Sequence, residues 1–303
     1  MQLALFDENN ILKNTYQKKL ADFDLTGAQK TLAELSAKWD RPKNIIAKIN
    51  AITGLHTKFN SKKYVAVESL AELAVRLPEI EYLRPLEKDL NYLKKGLMKE
   101  ISNKLDDKFC NYIISELHPA EVYIETMQFD KAVQAATCFL TQNEERACLR
   151  QALGFVYYKK GNYYLSIKNL SLALFHNPLH CCERFLPQDE FMPLLNNLKK
   201  DVDDSDYVWI RLPFELWKQN KIPIIYDDTN YIDYITKLTS IGSSNDTQDA
   251  IENGLMFIRL LYLAETLRLK NVDYNKMIDL RTRMKAIDPE SFREYKEVIQ
   301  HTF

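Results

Sequence analysis

The chain has 303 residues, 46% of them hydrophobic and 27% charged, a balance that separates it from disordered segments and from membrane proteins. Lys and Arg number 41 against 42 Asp and Glu, and the net charge of −1 argues against a nucleic-acid partner, because affinity for phosphate backbones comes largely from a basic excess. The five cysteines, Cys110, Cys138, Cys148, Cys181 and Cys182, are irregularly spaced and include no CxxC, so they read as thiols of a reducing compartment. The opening MQLALFDENN has neither the basic nor the apolar region of a secretory leader. The apolar run 254–264 is interrupted by Arg259 and too short to cross a bilayer, so a cytoplasmic protein without membrane contact is expected.

Apolar side chains recur every third or fourth position along most of the chain, the spacing of amphipathic helices, so the fold class expected is all-α. Residues 1–7 read as a flexible N-terminal segment. Helices are predicted over 9–22, 25–39, 43–58, 63–76, 80–104, 107–117, 119–126 and 129–141, then over 145–159, 162–175, 189–200, 206–219, 228–241, 246–270, 274–286 and 289–301. Pro42, Pro119, Pro178, Pro187 and Pro289 fall at predicted helix starts or in connections, where a missing N–H costs little. Asp288-Pro289-Glu290 has the form of a cap, a first-turn proline and an acid matched to the helix dipole. Pro193 and Pro213 are expected to kink or to begin helices. The stretch 222–226 (IPIIY) reads as an extended connection, and the acidic run 201–206 (DVDDSD) as the boundary between an N-terminal part and a more aromatic C-terminal part.

Several short patterns could carry chemistry. Gln2-Leu3-Ala4-Leu5-Phe6 resembles the peptide that bacterial replication and repair proteins insert into the sliding clamp. In such a peptide Gln2 would satisfy a polar pocket, while Leu3, Leu5 and Phe6 fill an apolar groove. The same apolar residues could instead pack on the first helix. His176, His180, Cys181 and Cys182 are four metal-ligand types within seven residues. The second half of a zinc site is missing and Pro178 breaks the face that would align the histidines, so no metal is expected there. His118 lies between Glu116 and Glu121 but just ahead of Pro119, as at a helix end; His56 and His301 have no evident partners. GxSxG, a Walker loop, HExxH and a dinucleotide fingerprint are all absent, so neither catalytic residues nor a cofactor is assigned. Lys94, Lys95, Lys99 and Lys104 form a basic face that Asp89, Glu100 and Asp106 dilute. Tyr207, Trp209, Phe214 and Trp217 populate one helix at core spacing.

The most specific pattern runs from Ala147 to Pro178. Leu153, Gly154 and Tyr157 fall in one helix, Gly161 and Tyr163 at the turn, Leu170 and Ala173 in the next helix, and Pro178 closes the unit. This resembles a tetratricopeptide repeat, a pair of antiparallel helices of about 34 residues. Gly154 would let the partner helix approach, Gly161 would end the first helix, and Ala173 would fill a close contact. The match is incomplete, with Ser166 where an alanine is usual and Arg150 where the first helix usually has a bulky apolar residue. Weaker copies are Phe23-Asp24-Leu25 with Ala28, Tyr64 with Ala71 and Ala74, Gln128-Phe129-Asp130-Lys131-Ala132 with Ala135, Ala136 and Phe139, and Tyr274 and Met277 ahead of Ile287-Asp288-Pro289.

The resemblance implies a right-handed α-solenoid of helical hairpins over 8–200, followed at 201–303 by a helical domain or degenerate repeats. It further implies a non-catalytic scaffold that binds a protein or peptide in a groove. Tyr157 and Tyr164 would line that groove, and Lys159, Lys168 and Asn169 are candidates for gripping a terminal carboxylate. The alternatives are a clamp-tethered accessory factor and a helical enzyme or nucleic-acid binder with a composite site.

Overall fold

The computed structural model describes residues 2–38, 42–60, 66–105, 117–142, 145–241 and 250–301, and these are all-helical, with no β-strand among them. The chain divides into two compact units, Met1–Phe139 and Leu140–Phe303. Among the described residues no helix is long and apolar enough to cross a membrane.

The first unit contains α1 (Gln2–Ala21), α2 (Leu25–Lys38), α3 (Pro42–Asn60), α4 (Val67–Arg76), α5 (Leu90–Lys104) and α6 (Pro119–Glu125), with α7 (Phe129–Gln142) running to its end. Its core gathers Leu20, Ile52, Leu55, Leu70, Leu77, Leu86, Leu93 and Leu97. The single helix predicted over 80–104 is instead a 3-10 stretch, Glu81–Asp89, followed by α5. Pro85 within that stretch has no N–H to donate to an α-helical ladder, and α5 begins only beyond it. Helix α1 packs on α2 and also on α5, which is remote in sequence. Gly96 makes the second contact possible, since a Cβ there would lie 2.4 Å from the carbonyl oxygen of Leu20 and 2.9 Å from the amide nitrogen of Phe23. Beside this contact the Tyr16 hydroxyl donates to Asp89 (3.1 Å), a buried carboxylate that also receives the Lys48 ammonium. Residues 107–116 of the predicted helix 107–117, with Cys110, and Tyr64 of a weaker repeat copy lie outside the described residues.

The second unit contains α8 (Ala147–Lys159), α9 (Tyr163–His176), α10 (Met192–Asp201), α11 (Ser205–Lys218), α12 (Thr229–Ile241), α13 (Ala250–Lys270), α14 (Tyr274–Ile287) and α15 (Pro289–His301). Helices α8 and α9 form a hairpin, and α9 also packs on α11 and α13. Pro193 sits in the first turn of α10, whereas Pro213 lies inside α11, which runs on past it. The acidic run 201–206, the expected boundary, lies inside this unit. Leu195 before it and Val208 and Leu212 after it share one core, so the run is a short link whose Asp204 caps α11. The connection 222–226 is non-helical, as expected, with Pro223 and Tyr226 exposed between buried isoleucines. Ile222, Ile224 and Ile225 are buried, and side chains satisfy the backbone: Ser171 Oγ donates to the Pro223 carbonyl and Tyr262 OH to that of Ile225.

Three helix-to-helix turns share one form. Phe23, Met127 and Gly161 take left-handed backbone angles, with φ of 56°, 62° and 74°. In each, the amide of the left-handed residue reaches the carbonyl three residues back, at 3.0 Å in all three. The next amide reaches the carbonyl five back: Asp24 to Lys19 (2.8 Å), Gln128 to Tyr123 (2.7 Å) and Asn162 to Tyr157 (2.9 Å). These paired bonds satisfy the last carbonyls of a helix and turn the chain sharply. The following helix begins two residues after the left-handed one each time, and the residue at the fifth position beyond it, Ala28, Ala132 or Ser166, is almost fully buried. The same ending closes α11 at Asn220 and α13 at Asn271.

Candidate functional site

The α8–α9 hairpin has the close approach that its glycine suggested. A Cβ on Gly154 would lie 2.6 Å from Leu170 Cγ and 3.1 Å from the Ser166 carbonyl oxygen, so the two helices meet where Gly154 has no side chain. Ala173 is fully buried, and Pro178 opens a 3-10 turn. The two departures from the repeat pattern have defined surroundings. The Ser166 hydroxyl is buried with no hydrogen-bond partner. Arg150 pairs with Glu145, its Nε lying 2.9 Å from Oε2.

The five groove residues have different surroundings. Asn169 is 6% exposed, and its amide donates to the Leu165 carbonyl (2.8 Å) while Oδ1 faces Arg150 at 3.5 Å. It therefore ties the hairpin together and does not present its amide at the surface. Lys168 turns towards Asp227, 3.9 Å away. Residues 164, 167, 168 and 171 share one face of α9. Ser171 and Lys168 of that face both engage the chain's own 223–227 segment. Lys159 lies over the Phe155 ring at 5.3 Å, and Tyr157 is half-buried.

What the hairpin exposes is an aromatic cluster at its turn. Tyr163 and Tyr164 are 62% and 70% exposed, and the Tyr158 and Tyr163 rings meet edge to face at 5.8 Å. The Tyr158 pKa is held above the usual phenol range by lost hydration and then by the Asp189 carboxylate. Next to this cluster is a concavity of about 730 Å³ lined by Ile167, Asp189, Glu190, Asn220, Lys221, Ile222 and Pro223. Tyrosines carry much of the energy at protein interfaces because they bury a large rigid area and keep a polar tip.

Elsewhere the structure separates the other candidates. The backbone of Gln2, Leu3, Leu5 and Phe6 forms the first turns of α1; their side chains lie outside the described residues. His176 is buried, with Nε2 3.0 Å from the Tyr234 hydroxyl, and burial followed by the Arg259 charge pushes its pKa down to about 3. His180 is exposed, Cys181 is buried, and the backbone of Cys182 is held by Gln151. Among the described residues no group of three or more His, Cys, Asp or Glu is placed to hold a metal ion. His118 caps α6 through Nδ1, which accepts from the Ala120 amide at 3.1 Å.

Comparison of the chain with protein-family models, with curated proteins and with solved structures found no match.

Sequence reasoning did not single out Asp189, Glu190 or Asn220. Residues 189–190 were placed at the start of a predicted helix, which in fact begins at Met192. The available signal was Pro193, which favours the first turn of a helix and so leaves 189–190 ahead of it.

Proposed function

We propose that the protein is a non-catalytic scaffold that recruits a protein or peptide partner through the aromatic face of the α8–α9 hairpin. The observation that carries this reading is the pair Tyr163 and Tyr164, both more than half exposed one turn ahead of Ile167, which lines the concavity. Exposed aromatics next to a concave surface are where binding energy concentrates in protein complexes. A tetratricopeptide-like solenoid fits this role. Support comes from the recurring turn at Phe23, Met127 and Gly161, with a small buried residue five positions on, a regularity in the backbone as well as in the sequence. Scaffolds of this kind bind by shape and need no nucleophile or acid–base pair.

The test is photocrosslinking in the protein's own cells, with a benzoylphenylalanine replacing Tyr164 and, as a control, replacing Tyr274, which is equally exposed on α14. A discrete adduct formed from position 164 and not from 274 supports the reading. Adducts that are equal at both positions, or absent at 164, overturn it.

A further inference from the structure

The concavity next to Tyr158 has an asymmetry of charge and polarity that narrows the partner. Its lining includes the half-buried Ile167 from α9 and the exposed Pro223 of the connection, whereas Ile222 is buried. Asp189 and Glu190 stand on its rim, and both are exposed. Among the described residues neither carboxylate forms an ion pair. The one cation in the lining, Lys221, has its ammonium bonded to the backbone carbonyl of Glu190 at 3.0 Å and pairs with neither carboxylate among the described residues. The left-handed turn at Asn220 fixes this wall, because the Lys221 amide is tied back to the Leu216 carbonyl at 2.9 Å.

We propose that this concavity receives an arginine or lysine side chain of a partner peptide, its methylene stem lying on Ile167 and Pro223 and its cationic head beside Asp189 and Glu190. The inference rests on the scaffold reading and specifies its ligand. Long basic side chains suit such a site because they cover apolar surface with the stem while the charge stays at the wet rim. A carboxylate pair at the edge of a groove also selects against acidic partners, since like charges brought together are penalised. A metal ion fits less well, because the Ile167 and Pro223 side chains offer it no oxygen or nitrogen ligands. Tyr163 and Tyr164, exposed one turn ahead of Ile167 on α9, would hold flanking apolar residues of the peptide.

Random dodecapeptides displayed on phage and selected on the full-length chain, followed by fluorescence anisotropy on the enriched sequences, test this. The expected result is enrichment of an Arg or Lys flanked by apolar residues, with affinity falling as salt is raised. Charge-assisted hydrogen bonds are strong enough that Asp189→Asn with Glu190→Gln should weaken binding about tenfold to a hundredfold. Replacing the peptide's basic residue by Met should do the same in the unaltered protein, a second measurement that does not depend on the variant's folding. Enriched peptides that are acidic or uncharged, or that bind the double variant equally well, overturn the basic-ligand proposal and leave the scaffold reading standing. A selection that yields no binding peptide overturns both.

Discussion

The Gln151 carboxamide holds the backbone of Cys182 from both sides: Oε1 accepts the Cys182 amide at 2.8 Å and Nε2 donates to its carbonyl at 2.8 Å. Gln151 is on α8 and fully buried, so this pairing locks the irregular stretch after α9 to the first helix of the hairpin. Gln151→Leu fills the same space but removes the side-chain partner of the Cys182 amide, whereas the Cys182 carbonyl keeps the Phe185 amide at 3.2 Å. One unpaired group costs about 1–3 kcal/mol, so a loss of that size is expected in urea unfolding. A change below about 0.5 kcal/mol would show that water reaches this amide.

Gly154→Ala places a methyl group against Leu170 and should destabilise the second unit by about 1–3 kcal/mol, the usual range for overpacking. Leu170→Ala alone creates a cavity. The double variant gives the added methyl the space that Leu170 vacates, so its cost should be less than the sum of the two single costs. Thermal melts of the three variants check this, and strict additivity would show that the methyl clashes with the Ser166 carbonyl instead.

Met127 holds a left-handed conformation with its side chain largely in solvent. A side chain pays about 1–2 kcal/mol in that region, a penalty glycine escapes, although glycine loses more entropy on folding. Met127→Gly is therefore expected to raise stability by about 0.5–1 kcal/mol. Met127→Val should lower it, because branching at Cβ crowds the left-handed backbone further.

His176 gives the second unit an acid-side dependence of known sign. Its folded pKa of about 3 lies below the ordinary 6.5, because burial and the Arg259 guanidinium oppose a charge on the ring, and His180 and Arg150 add to the opposition. The unfolded state therefore takes up the proton first. The stability involved is complete above pH 6.5 and declines as pH falls from there towards 3. Each unit is worth about 1.4 kcal/mol, so about 2 kcal/mol should be lost between pH 6.5 and 5. His176→Gln should flatten the slope of urea stability over that interval; an unchanged slope would place the titration elsewhere.

The helices were legible because their signals are local. Apolar spacing placed α2 at Leu25–Lys38 and α15 at Pro289–His301 within a residue of the predicted bounds, and Gly161 announced its turn. The equivalent turns at Phe23 and Met127 carry no glycine, so only the backbone reveals that they share one form. The 3-10 stretch was in principle readable from Pro85. The surface of the candidate site was not. Lys168 and Asn169 occupy the α9 positions where the pattern suggests a groove, but what they engage, Asp227 and Arg150, comes from sequence 19 to 59 residues away. Periodicity tells which face of a helix is apolar; it does not tell which distant segment will lie against that face.

The bond from Tyr16 to Asp89 joins residues 73 positions apart. A ribosome makes the chain from the N-terminus, so α1 emerges long before the segment against which it finishes packing. Until Asp89 and Gly96 have left the exit tunnel, Leu20 lacks its α5 contacts, and Lys48 and Tyr16 have no common carboxylate. The first unit must therefore close late in its own synthesis, and its leading helix is the part a holding chaperone would have most reason to shelter.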